Sequence, residues 1–257
     1  GMVDSPRLSR ISLKKHLATR GVSEATPTSL GRLTEAEKIR SVILVQDAFT
    51  SYFESTLVMD VIELLERLDI RVFMAPYAPN GKPLHVQGFL GAFERTAAKQ
   101  AERLRTLADV GVPLVGIDPA MTLAYRQEYV KALGEVRLLP EWLTEWLDER
   151  APAGLALDAP GYRLLAHCTE KTNAPGTPKA WQRVFAAFGL ELEVVASGCC
   201  GMSGTYGHET RNLNTSKVIY SQSWQPIVEN LANTGRLLAT GYSCRSQARR
   251  ISGTILP

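Results

Sequence analysis

Tyr162-Arg163-Leu164-Leu165-Ala166-His167-Cys168 is a short, mostly apolar run that stops at a polar pair. Its length is that of a strand, and its end marks the edge where a parallel sheet places functional loops. The run Ser41-Val42-Ile43-Leu44-Val45 has the same shape and stops at Gln46-Asp47. Asp47 precedes Cys168 by 121 residues.

Working outward from each run, the same order of elements follows. After the first, Leu57, Val61, Leu64, Leu65 and Leu68 recur at helical spacing over 55–68. A strand over 70–75, the loop Tyr77-Ala78-Pro79-Asn80-Gly81-Lys82-Pro83, a long helix over 88–110 and a strand over 113–117 come next. Asp118-Pro119 suits the start of a further helix, because Asp caps and Pro is tolerated in the first turn. After the second run come a helix over 178–188, a strand over 191–195 and the loop Ser197-Gly198-Cys199-Cys200-Gly201. A long helix over 210–231, a strand over 236–240 and a terminal helix opened by Gly241-Tyr242-Ser243-Cys244 complete it.

Asn80-Gly81 matches Cys200-Gly201 after 120 residues, and Met121 roughly matches Cys244 after 123. A nearly constant offset indicates an internal duplication. The expected fold is therefore α/β, with duplicated β-α-β-α-β-α lobes, small parallel sheets related by a pseudo-twofold, and ligand loops at the carboxyl ends of strands. The expected divisions are an arm at 1–33, a cysteine-free repeat at 34–137, a connector at 138–160 and a cysteine-bearing repeat at 161–257. Leu8, Ile11, Leu13 and Leu17 suggest one weak helix in the arm, and Gly1 before Met2 reads as an expression remnant.

The 257 residues, 45% of them hydrophobic, suffice for a substantial core. Basic and acidic residues, 29 and 26, are spread along the chain, which argues against nucleic acid as a partner. No apolar run reaches the length of a membrane span, and no secretory signal opens the chain, so a cytoplasmic location is expected. In a reducing compartment, clustered cysteines point to metal or catalysis more than to disulfides.

The four cysteines, Cys168, Cys199, Cys200 and Cys244, all follow expected strand ends of the second repeat. Thiolates are the donors that iron-sulfur clusters and other soft metals need, and Gly198, Gly201, Gly204 and Gly207 let backbone N–H groups approach such a group. Four thiolates satisfy one cubane. Tetrahedral zinc accepts four thiolates, or three with His167 or His208, and would make the site structural. A disulfide between adjacent residues is strained, and a single nucleophilic cysteine needs fewer neighbours.

The pattern Cys168, then Cys199-Cys200-Gly201, then Cys244 resembles the cysteine-rich CCG domain found in heterodisulfide reductase and in the iron-sulfur subunits of glycolate, lactate and anaerobic glycerol-3-phosphate oxidation. The stretches His167-Cys168-Thr169-Glu170-Lys171, Gly198 to Glu209, and Gly241-Tyr242-Ser243-Cys244-Arg245-Ser246-Gln247 look closer to the C-terminal region of fused flavin and iron-sulfur dehydrogenases of the D-2-hydroxyglutarate and D-lactate type. The resemblance covers residues 40–257. It implies an electron-transfer domain with a [4Fe-4S] cluster on Cys168, Cys199, Cys200 and Cys244. It also implies FAD on a separate domain or subunit, and an electron acceptor such as a quinone or a membrane chain reached through partners. The competing reading is a zinc-stabilised subunit-interaction domain. The isolated chain is expected to lack dehydrogenase activity.

Two departures from the resemblance stand out. The related motif ends in Cys-x-x-Cys, whereas Gln247 takes the last place here, which disfavours a noncubane cluster with a fifth thiolate. The first repeat has Pro79-Asn80-Gly81-Lys82-Pro83-Leu84 and Asp118-Pro119-Ala120-Met121 in place of its cysteine motifs, so it should be a metal-free scaffold.

His167, His208, Gly201 and Gln247 are expected to support the thiols by hydrogen bonds. Asp47, Lys82 and His85 lie at the corresponding edge of the first repeat and read as polar loop residues. Lys171, Arg211 and Arg245 read as solvated charge near the cysteines. Trp142, Trp146, Trp181 and Trp224 read as core or interface.

Overall fold

The computed structural model describes residues 1–131, 133–150 and 161–257, so the Ala151-Pro152-Ala153-Gly154 part of the expected connector lies outside them. The chain divides into two compact units, Arg7–Leu139 and Gly1–Pro6 with Pro140–Pro257. Each is a parallel α/β assembly.

In the unit Arg7–Leu139, strands β1 (Ser23–Glu24), β2 (Ser41–Val45), β3 (Arg71–Met74), β4 (Leu114–Gly116) and β5 (Val136–Leu138) form a sheet of order β1-β3-β2-β4-β5. Every pairing is parallel, with Ile43 opposite Phe73 on one side and Leu114 on the other. All five residues of β2 are buried, as a central parallel strand covered on both faces requires. The core gathers Ile43, Val45, Phe73, Leu104, Leu114 and Val136 against the helix Leu90–Ala108.

In the other unit, β6 (Tyr162–Leu165), β7 (Leu192–Val194) and β8 (Leu237–Ala239) form a parallel sheet of order β7-β6-β8. In each unit the central strand of the repeat lies between the two that follow it, so β7-β6-β8 repeats β3-β2-β4. This shared order is what a duplication of one β-α-β-α-β unit produces.

Three local expectations change. The basic arm has more structure than its polarity suggests: a helix spans Leu13–Arg20, Leu13 and Leu17 are buried on it, and Leu8 is exposed. Ser23–Glu24 adds β1 to the sheet edge, and Thr26 caps the turn Pro27–Leu30. The loop after β3 also contains a short helix, Lys82–Val86. Finally, the expected helix over 210–231 is broken into a 3-10 turn Thr210–Asn212, a helix Leu213–Ser223, a short helix Gln225–Val228 and a 3-10 turn Leu231–Asn233. Pro226 explains the central break, because it lacks the N–H that would bond back one turn and its ring crowds that carbonyl.

No helix among the described residues is long and apolar enough to cross a membrane.

Candidate functional site: four thiols at one sheet edge

Each strand of the β7-β6-β8 sheet delivers its cysteine just past its carboxyl end. Cys168 opens the helix Cys168–Asn173 after β6, and Cys244 sits in the first turn of the helix Tyr242–Ser252 after β8. Helix N-termini carry partial positive charge, which favours thiolates there. Cys199 and Cys200 lie on the loop after β7, Cys199 exposed and Cys200 buried.

All four are free thiols. They touch in sequence, Cys168 with Cys199, Cys199 with Cys200, and Cys200 with Cys244. The Cys199 thiol is drawn far below its usual range by hydrogen bonds from Cys168 and then from Cys200, assisted by the Gly201 N–H. Cys168 is pushed up by its bond to Cys199, then by burial and the neighbouring charge of Cys244. Cys200 is pushed up by its bonds to Cys199 and Cys244 and by burial. The thiols therefore titrate as one coupled group, with Cys199 favoured as the thiolate and Cys168 and Cys200 disfavoured.

These sulfurs form a chain of pairwise contacts; among the described residues no three His, Cys, Asp or Glu side chains are grouped so as to hold a metal ion. By its chemistry the donor set, four thiols at one edge, is of the kind that a soft metal or a cluster takes.

A polar frame fixes the backbone under the thiols. The buried His167 caps the Cys168 helix, its Nδ1 accepting from the Thr169 N–H at 3.2 Å. A neutral ring therefore carries its proton on Nε2, which faces Ser243 Oγ at 3.2 Å. The His167 N–H reaches Thr240 Oγ1 at 2.9 Å and Glu170 Oε2 at 3.3 Å, and Thr240 Oγ1 donates to the same buried Glu170 carboxylate. These bonds tie the end of β6 to the end of β8. Gly241 completes the joint: a Cβ there would lie 2.3 Å from His167 Cδ2.

The Cys199-Cys200 loop is held from below. Trp224 Nε1 donates to the Gly198 carbonyl oxygen at 3.0 Å, and Ser223 Oγ to that of Cys199 at 3.3 Å. Gly201 has φ of 81°, and its N–H donates to Cys199 Sγ at 3.3 Å. Lys171 Nζ donates to the Ser197 carbonyl oxygen.

The other sequence candidates go elsewhere. His208 is buried and its Nδ1 donates to Asp4 Oδ1 at 2.7 Å, while Arg250 Nε donates to Asp4 Oδ2 at 2.6 Å. Arg211 pairs with Glu209 at 2.9 Å. Arg245, read from sequence as solvated charge, is instead buried and donates to the Ala239 carbonyl oxygen at 2.7 Å. Trp142, Trp146 and Trp224 are buried and Trp181 is half-buried. Thr240, Ser243 and Glu170 carry no sequence signal of this supporting role, because isolated hydroxyls and one carboxylate become supports only when the strand ends meet.

The matching edge of the other unit holds hard donors. Asp47 is buried as the cap of the helix Ala48–Tyr52, accepting from the Phe49 N–H at 2.7 Å, the Thr50 N–H at 3.0 Å and Thr50 Oγ1 at 2.6 Å. Its carboxyl is pushed up to about 7, first by burial and then by the charge of Asp118. Asp118 caps the helix Pro119–Gln127 through the Met121 N–H at 3.0 Å. Asn80 Nδ2 donates to the Met121 carbonyl oxygen at 3.2 Å, while Lys82 and His85 both pair with Glu128.

No family model matches the chain. It is 55% identical over 258 residues to the D-2-hydroxyglutarate dehydrogenase of Pseudomonas putida, covering 98% of this chain and 25% of that protein. It is 44% identical over 260 residues to the enzyme of the same name from Escherichia coli, covering 99% and 25%. A more distant relative is one of the subunits of the Escherichia coli anaerobic glycerol-3-phosphate dehydrogenase, 27% identical over 210 residues, covering 77% of this chain and 52% of that polypeptide. The chain therefore spans about a quarter of the length of the curated dehydrogenases it matches.

Proposed function

We propose that this chain is the electron-transfer part of a flavin-linked D-2-hydroxy-acid dehydrogenase, with D-2-hydroxyglutarate as the substrate class of the whole enzyme. Cys168, Cys199, Cys200 and Cys244 would hold one [4Fe-4S] cluster. The observation that carries the reading is the run of contacts joining four free thiols at the edge of a single sheet. The 55% identity to a D-2-hydroxyglutarate dehydrogenase supports the substrate class, and the resemblance to CCG domains supports the cofactor.

When bound, the cluster supplies one-electron acceptance and release between a flavin and an outside acceptor. The chain's own residues do the rest. Helix N-termini at Cys168 and Cys244 offset thiolate charge, and the Gly201 N–H donates to the Cys199 sulfur. The burial of Cys200 and Cys244 keeps water from one side. FAD belongs to a partner domain or subunit in this proposal, and a quinone or membrane chain is the acceptor class.

The test is anaerobic reconstitution of the chain with iron and sulfide, followed by iron, acid-labile sulfide and zinc analysis, alongside metal analysis of the chain taken from native cells. About four irons and four sulfides per chain are expected for one cubane. Stoichiometric zinc without labile sulfide in the native material sinks the cluster reading. That outcome favours the second reading, a zinc-stabilised subunit-interaction domain, which rests on the same four thiols drawn into direct contact.

A further inference from the structure

On the helix Tyr242–Ser252, Gln247 follows Cys244 by three residues and so lies on the same face, with no exposed surface. Gln247 Nε2 donates to Ser216 Oγ at 2.8 Å, and Ser216 Oγ donates to the Gly201 carbonyl oxygen at 2.8 Å. Ser216 is likewise fully buried. A hydroxyl has one proton, so the direction is fixed: amide into hydroxyl, hydroxyl into carbonyl. Gly201 then donates its own N–H to Cys199 Sγ at 3.3 Å.

The fit around Gly201 leaves no slack. A Cβ there would lie 2.4 Å from the Ser216 carbonyl oxygen and 3.4 Å from Gln247 Nε2. Gln247 Oε1 is buried with no hydrogen-bond partner among the described residues. A buried acceptor without a donor costs stability, and the amide keeps this arrangement with Nε2 turned to Ser216.

We infer that Gln247 is a positioning residue of the four-thiol site, acting through Ser216 on the Gly201 hydrogen bond to Cys199, and that it sets the retention and reduction potential of a cluster held there. The inference rests on the proposed function. Hydrogen bonds to ligating sulfurs stabilise the reduced cluster, whose charge is more negative, and so raise its potential.

The experiment uses the whole 257-residue chain, reconstituted anaerobically with iron and sulfide, as wild type, Gln247→Leu, Gln247→Glu, Ser216→Ala and the Gln247→Leu/Ser216→Ala double variant. The readouts are the midpoint potential by redox titration, the rate of cluster loss to a chelator, and the melting of the iron-free chain. Each single variant is expected to move the potential to more negative values and to speed cluster loss by about tenfold or more, the usual scale for residues behind metal ligands. The double variant should go no further than the larger single one, because both residues belong to one relay. Gln247→Glu keeps the volume but turns the hydroxyl proton away from Gly201, so it should follow Gln247→Leu; it is also the variant to read if Gln247→Leu melts early. A cluster-loaded wild type with Gln247→Glu and Ser216→Ala unchanged in potential overturns the inference alone, and so do additive effects in the double variant. A wild type that takes up no iron and sulfide overturns the functional proposal, and this inference with it.

Discussion

Trp224 donates its indole N–H to the carbonyl oxygen of Gly198, one residue before the paired cysteines, at 3.0 Å. The ring is itself almost wholly buried, at 1% exposure, where Pro226 ends the preceding helix. A break in a helix thus becomes the post on which the thiol loop rests. Trp224→Phe keeps an aromatic ring and removes the donor. A loss of about 1–3 kcal/mol in urea unfolding is expected, from the orphaned carbonyl and the smaller ring. Cys199 should also react faster with a thiol reagent, and unchanged reactivity would show that the loop does not need the post.

Gly241→Ala tests the joint between β6 and β8. The added methyl meets the His167 ring at 2.3 Å, and a core forced to accept it loses about 1–3 kcal/mol. Iron bound per folded chain should fall with it, since His167 caps the helix that presents Cys168. Normal metal content and an unchanged melt would mean that the ring moves aside freely.

Cys200→Ser is expected to abolish cluster binding, with iron content at the background of the iron-free chain. The unit Arg7–Leu139 should stay folded, because its core shares no residue with the thiol site. Iron analysis with hydrogen exchange across β2 to β4 checks both halves of this expectation.

Asp47 gives a pH dependence with a definite sign. Its carboxyl is raised from 3.8 to about 7 by burial and the charge of Asp118, so the folded state binds the proton more tightly than the unfolded chain. That stabilisation is complete below the unfolded value and is lost as pH rises toward and through about 7. Asp47→Asn retains an oxygen for the Phe49 and Thr50 N–H groups and removes the titration. Relative to wild type, the variant should gain on the order of 4 kcal/mol between pH 4 and pH 8, read from denaturant midpoints at both. Parallel pH profiles would place the charge elsewhere.

The parts legible in the sequence are those fixed by local chemistry. The run Ser41–Val45 is apolar at every position except its first, and becomes the fully buried centre of a sheet. Asp118-Pro119 announces its helix because cap and ring both act within one turn. The two-residue strand Ser23–Glu24 was not legible, being polar and defined only by pairing with Phe73 and Met74. Pro226 stands inside the expected helix over 210–231, where residues on both sides keep helical spacing, so its break shows only in the structure. In the site, the cysteines declared themselves by type and by position after strands. Ser216, Thr240 and Trp224 did not, because a hydroxyl or an indole becomes a support only when distant segments close around it.

Asn80 has the last consequence. At the edge that matches the thiol site, its amide is spent on the Met121 carbonyl oxygen, its carbonyl accepts from the Lys82 N–H at 3.0 Å, and Asp47 and Asp118 are occupied as caps. None of these three side chains carries a thiol, and each is bonded to the backbone of its own unit. The two matching edges thus serve different ends: one gathers thiols, and the other turns these side chains to holding its own backbone in place.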